Sequence, residues 1–243
     1  MKQFRTIATC TVAAGLLCLY SCNSAEEKKA DVPKTDTSTT TKETPSPVAP
    51  MGPKSVAIVR HKVADYAKWK TAYDSDDSAR TANGLHNYVI ARGVDDSNTV
   101  MVAMLMDDVE KAKAFANSPG LKDKMKKGGV TGPPVVDFLE AVENDTTAIT
   151  QTIRVMIRSH VKDWDAWKKA YDSHLQKRTD AGLTQRVIAH TAGDTHMVTL
   201  VFAVADLAKA KAFTTSQDLK DRMKEAGVDG PPDIYFYKVV QRY

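Results

Sequence analysis

His174 and Arg178 stand four residues apart in a stretch with helical periodicity, so their side chains fall on one face, one turn apart. An imidazole and a guanidinium so placed could bind an anion or polarise a carbonyl oxygen, and they are the candidate catalytic residues. Arg60 and Arg158 form a second pair, each inside an apolar, β-branched run. If Val63 and Val161 face helices, alternation along the strands sends both arginines to the opposite sheet face. There they would pair with Asp137 or Glu140, or contact an acidic ligand. Tyr235 and Tyr237, two apart near the end of the chain, would add aromatic surface to one side of any cavity on that face. The six histidines show no metal-site spacing, and neither a phosphate-binding loop nor a dinucleotide fingerprint is present. No metal and no cofactor is expected. A Ser-His-Asp arrangement is not recognisable from spacing.

The elements that position these residues are written twice. Shifted by 98 residues, from 58 to 156, Ile58–Val142 lies over Met156–Val240 without a gap, with about 37 of 85 pairs identical. DYAKWKTAYDS matches DWDAWKKAYDS, KAKAF repeats outright, and LKDKMKKGGVTGPP matches LKDRMKEAGVDGPP. Two copies are too few for a stacked solenoid. The expected organisation is a unit at 55–143, a linker at 144–151 and a second unit at 152–243.

In the first copy, Ser55–Val63 reads as a strand, followed by a helix from Asp65 to about Asn83 that Gly84 stops. Leu85–Arg92 and Thr99–Met106 read as strands around a run of turn formers. Asp108 can cap a second helix, which breaks at Ser118-Pro119, where serine caps and proline opens a continuation. Gly132-Pro133-Pro134 ends it, and Val135–Val142 is the last strand. The order β-α-β-β-α-β is that of a ferredoxin-like unit, a four-stranded antiparallel sheet with both helices on one face. Strands such as Val100–Leu105 and Val198–Ala203 are apolar at successive positions and need cover on both faces. The economical cover is the other unit's sheet. The fold class is therefore α+β, with two tandem units packed sheet to sheet as a pseudo-dimeric α/β barrel within one monomeric chain.

Trp164, Trp167 and Tyr171 continue into His174 and Arg178 as one stripe, matched by Tyr66, Trp69, Tyr73, Asp76 and Arg80. The aromatic residues read as packing against the sheet. His174 answers to Asp76, so the two copies are not equivalent sites.

The pattern R-H-x-V-x-D-Y-x-x-W-K, then D-x-x-x-x-x-R-x-x-x-G-L, then K-A-x-A-F-x-x-S-x-x-L-K-x-x-M-x-x-x-G-V-x-G-P-P resembles the dimeric α/β-barrel superfamily. Its small members similar to antibiotic-biosynthesis monooxygenases, and the cyclase-like ones, are the nearest in pattern. The resemblance covers both copies and implies single domains that dimerise face to face, here fused into one chain. Haem-degrading relatives use an axial histidine associated with the second helix; Asp108–Gly128 and Asp206–Gly227 contain none, so haem is not expected.

The first residues read as an export signal: Lys2 and Arg5, then an apolar stretch from Ile7 to Leu19 that is short for a bilayer span. Leu19-Tyr20-Ser21-Cys22 resembles a bacterial lipobox, which implies a signal peptide at 1–21 and lipidation of Cys22. Cys10 and Cys18 would leave with the signal, so no disulfide framework is expected. Residues 22–54, rich in Thr, Lys and Pro, read as a tether with a reach on the order of 30 Å. The net charge of +4 is dispersed, which argues against nucleic acid as a partner. These features place the chain at the cell envelope, lipid-anchored at the outer membrane of a Gram-negative-type cell. The reading of function is a binding or structural module with a small apolar or acidic molecule between the sheets. The alternative is a cofactor-independent monooxygenase- or cyclase-like enzyme.

Overall fold

The computed structural model describes residues 54–243; the signal segment, Cys22 and nearly all of the tether lie outside the described residues. The chain runs β1 (Ser55–Val63), α1 (Tyr66–Ser75), α2 (Asp77–Ala82), β2 (Leu85–Gly93), β3 (Thr99–Met106), α3 (Val109–Asn117), α4 (Pro119–Lys127) and β4 (Val130–Asn144). It continues with β5 (Ile153–Val161), α5 (Trp164–Ser173), α6 (Leu175–Asp180), β6 (Leu183–Thr191), β7 (Asp194–Val204), α7 (Leu207–Thr215), α8 (Gln217–Glu225) and β8 (Val228–Arg242). The fold is α+β.

Helix starts follow from local chemistry. Asp65, Asp108, Asp163 and Asp206 each accept a hydrogen bond from the backbone N–H three residues on, at 2.7 to 3.0 Å. Ser118 and Ser216 do the same for α4 and α8, with Pro119 in the first turn of α4. The helix expected over Asp65–Asn83 is broken at Asp76, because Arg80 reaches back over it. Its guanidinium lies 3.7 Å from the Tyr73 ring centre and donates to the Tyr73 carbonyl at 2.6 Å, doing the work of the interrupted ladder. Arg178 repeats this at Tyr171, so α5 and α6 meet at His174.

The strands close into an antiparallel barrel in the order β1-β3-β2-β8-β5-β7-β6-β4. The seams between the sequence halves are β2 with β8, where Ala91 faces Val239, and β4 with β6, where Ala141 faces Ala189. Alternation divides each strand between two cores. Val100, Val102 and Met104 pack outward under α1 and α3 with Trp69, while Met101 and Ala103 point into the barrel with Ile58, Leu139, Met156 and Tyr237. The second half packs Trp167, Tyr171 and Phe202 outward in the same way. This double burial is why those strands are apolar at successive positions.

The last strands start five residues earlier than the Gly-Pro-Pro signal suggests, at Val130 and Val228. Lys62 pairs with Thr131 and Arg60 with Val135, so the prolines sit in a bulge where their missing donors do no harm. Gly132 takes φ +85° and Gly230 φ +75° at the bend, a conformation L side chains rarely adopt.

Candidate functional site

A cavity of about 420 Å³ occupies the barrel interior at the end where β1 and β5 begin. Its wall is mostly aliphatic, with Ile58, Met101, Leu139, Ala189 and Val201 joined by Tyr88 and Tyr237. Lys54, Arg154, Arg186 and Arg242 border it together with the connection from Asn144 to Ile149. Four basic residues thus stand against one acid, Asp145.

Arg154 is the unusual member. Alternation through Met156 puts it on the interior face of β5, and it is 5% exposed. One guanidinium nitrogen donates to the carbonyls of Gln151 (2.6 Å) and Ile153 (2.9 Å). No carboxylate pairs with it among the described residues. Burial lowers its proton affinity; the Tyr237 phenol works the other way, and the charges of Arg242 and Arg186 lower it further. A buried cation without a counter-charge is costly, which makes the position informative.

Arg186 is neutralised. It meets Asp145 at 2.7 Å and donates to the Thr147 carbonyl at 2.5 Å, holding the connection against β6. Burial tends to raise the Asp145 carboxyl, but hydrogen bonds from Thr147 and the Arg186 charge outweigh it and keep the group below its usual range. Tyr237 is 5% exposed and its ring stacks on Tyr235 at 5.6 Å. Burial pushes its phenol far above the usual tyrosine range, so it stays protonated. No histidine or cysteine lines the cavity, so a haem held through imidazole does not fit this wall.

The residues singled out from sequence divide between places. Arg60 and Arg158 do point inward, but toward the other end of the barrel. Arg60 bonds Asp233 at 3.2 and 2.5 Å, and Arg158 bonds Asp137 at 2.8 Å. Asp137 is buried, and burial raises its carboxyl above the usual range against the pull of Arg158 and Arg60. Tyr235 lies under Arg60 at 4.9 Å and donates to the Thr99 carbonyl at 3.0 Å. These three side chains brace that end and do not line the cavity; of the four expected ligand residues, Tyr237 alone does. His174 and Arg178 border a different, smaller pocket of about 150 Å³ between the helices and the outer face of the sheet. Arg178 is buried and engaged with Tyr171, so its charge holds the helix corner and is not offered to a ligand.

Sequence reading missed Arg154, Arg186 and Arg242. The signal was present in the comparison of the two copies: at the shift of 98 these positions answer to Val56, Tyr88 and Asn144. All three substitutions add a positive charge to one cavity.

No family model matches the chain, and no curated protein matches it. Many solved structures do. An anthrone oxidase-like protein aligns with 13% identity and TM-score 0.55, over 81% of this chain and 95% of that one. A chlorite dismutase-like protein aligns with 12% identity and TM-score 0.53, over 78% and 96%. A monooxygenase-like protein from Lactobacillus acidophilus reaches 11% identity and TM-score 0.47, over 76% and 94%. At such identities the likeness speaks for architecture and for nothing finer. The fold of this chain is that of the ferredoxin-like, dimeric α/β-barrel proteins.

Proposed function

We propose that the barrel cavity is the active site of a cofactor-independent enzyme, oxygenase- or cyclase-like, acting on a small and largely apolar molecule. One observation carries this reading: the buried Arg154 guanidinium, paired with no carboxylate among the described residues, in the wall of a mostly aliphatic cavity. Such reactions place negative charge on a substrate oxygen after a proton leaves an adjacent carbon or a phenol. Arg154 and the Tyr237 hydroxyl would hold that oxygen, and the aliphatic part of the wall would exclude water. Asp145 is the carboxylate at hand to receive the proton. The name of the anthrone oxidase-like structure agrees with oxidation of a small molecule on this fold.

The test is oxygen uptake by the purified protein with anthrone. Uptake is expected, and Ala141→Phe, which fills the cavity, should lower it at least about tenfold. Equal uptake by both proteins would remove the cavity from the reaction. A second reading, binding without turnover, draws on one observation: Asp145 is already tied to Arg186, which weakens it as a base. Recovery of the bound molecule unchanged, with no oxygen consumed, would favour that reading.

The strand order supports a finer architecture. The runs β4-β1-β3-β2 and β8-β5-β7-β6 read as two tandem ferredoxin-like units, 55–143 and 152–243, fused as an intrachain pseudo-dimer in a monomeric protein. We also propose that Cys22 carries lipid and that 22–54 tethers the barrel to an envelope membrane. Replacing Cys22 with Ser should move the protein from the membrane fraction to the soluble fraction; continued membrane association would refute acylation.

A further inference from the structure

We infer that the natural occupant of the barrel is an anionic amphiphile, held with its acidic head at Arg154 and its apolar body against Met101 and Leu139. The inference rests on the cavity reading above and adds the class of molecule.

Charge is the first argument. Of the four basic groups at the cavity, Arg186 is matched by Asp145, and Lys54 and Arg242 are exposed enough for water to solvate them. Arg154 is matched by no carboxylate among the described residues and is only 5% exposed. One buried positive charge calls for one negative charge, so the occupant is a monoanion at the point of contact, with Lys54 and Arg242 drawing it in from solution.

Geometry is the second. The two carbonyls that Arg154 meets engage only its Nη1, which leaves Nε and Nη2, the side-on fork that matches the two oxygens of a carboxylate or sulfonate. The Tyr237 hydroxyl, on the residue paired with Arg154 across β5 and β8, can donate to the same group.

Direction is the third. Beyond Ile58 and Met156 the interior is crossed by the Arg60–Asp233 and Arg158–Asp137 ion pairs and by Tyr235. A molecule therefore goes in apolar end first and keeps its head at the mouth. From Arg154 to Arg158 is four residues of strand, a depth on the order of 10 Å once strand tilt is allowed for. That depth suits a two- or three-ring aromatic acid or a short acyl acid.

The experiment uses two fluorescent probes that share the same rings. 8-Anilinonaphthalene-1-sulfonate carries the anion, and N-phenyl-1-naphthylamine lacks it. In the purified protein the sulfonate should bind at least about tenfold more tightly. Arg154→Met should abolish that preference while leaving the neutral probe within about twofold. Equal affinity for both probes in the native protein, or a preference that survives Arg154→Met, would overturn the inference. If the variant does not fold, competition in the native protein decides. Decanoate should displace the neutral probe at least about tenfold better than decanol, and equal displacement counts against the anion. Ala141→Phe separates the two levels. If it blocks both probes and they bind equally, the cavity stands and the charge inference falls; if it blocks neither, the cavity reading itself falls.

Discussion

Replacing Trp167 with Ala is expected to destabilise the protein by about 3 to 5 kcal/mol, the usual range for deleting a large buried aromatic side chain. Trp167 is 5% exposed and packs between α5 and the outer face of the sheet. Its ring lies 5.2 Å from both Tyr171 and Trp164, and Val155, Leu183 and Phe202 complete the cluster. Alanine leaves a void that those rings cannot fill without breaking the Tyr171 to Arg178 contact that shapes the helix corner. Because domains of this size are stable by only about 5 to 15 kcal/mol, the loss is a large fraction of the whole. Trp69→Ala should behave alike, and the double variant should be close to additive, since the two clusters lie on opposite sides of the barrel. Urea unfolding followed by circular dichroism measures both. A loss under about 1 kcal/mol for Trp167→Ala would mean that the helix layer does not hold the sheet in this way.

Mild acid should weaken the fold through His61. Its ring is buried against Trp69 at 5.5 Å, and neither nitrogen has a hydrogen-bond partner in the structure. Burial lowers its pKa from 6.5 to about 4. The unfolded chain takes up a proton near pH 6.5, whereas the folded chain refuses it until about pH 4. Stability is therefore complete above pH 6.5 and falls as the pH drops toward 4. At about 1.4 kcal/mol per unit over the 2.5 units between them, the loss is on the order of 3 kcal/mol. Asp137 has the opposite sign: its raised carboxyl gives stability as the pH falls. The histidine contribution must therefore be read as a difference between proteins. His61→Ser copies the residue that the second half carries at Ser159. The variant should lose on the order of 3 kcal/mol less than the native protein between pH 7 and pH 4. Parallel pH profiles for the two would show that His61 is not the acid-sensitive group.

Much of the architecture is decided by the sequence alone, because its causes are local. Aspartates three residues ahead of a backbone N–H start helices wherever the chain carries them, as at Asp65 and Asp163. Alternation assigns Arg60 and Arg158 to the interior face and Trp69 and Trp167 to helices over the outer face. Continuous apolar strands require that both faces be covered, and the duplication shows what covers them. The break at Asp76 was hidden because it depends on one long side chain, Arg80, folding back onto a carbonyl seven residues away.

The site lay beyond local rules for a different reason. Alternation gives the face on which a residue points, but its depth along a barrel is set by how strands distant in sequence are paired. Only the closure of β2 on β8 and of β4 on β6 brings Asp233 to Arg60 and Asp137 to Arg158, discharging the two arginines that sequence favoured. The same closure leaves Arg154, four residues earlier on β5, buried in the cavity wall and paired with no acid among the described residues. Sequence determined that arginines would point into a barrel; the tertiary pairing decided which of them would keep its charge unanswered.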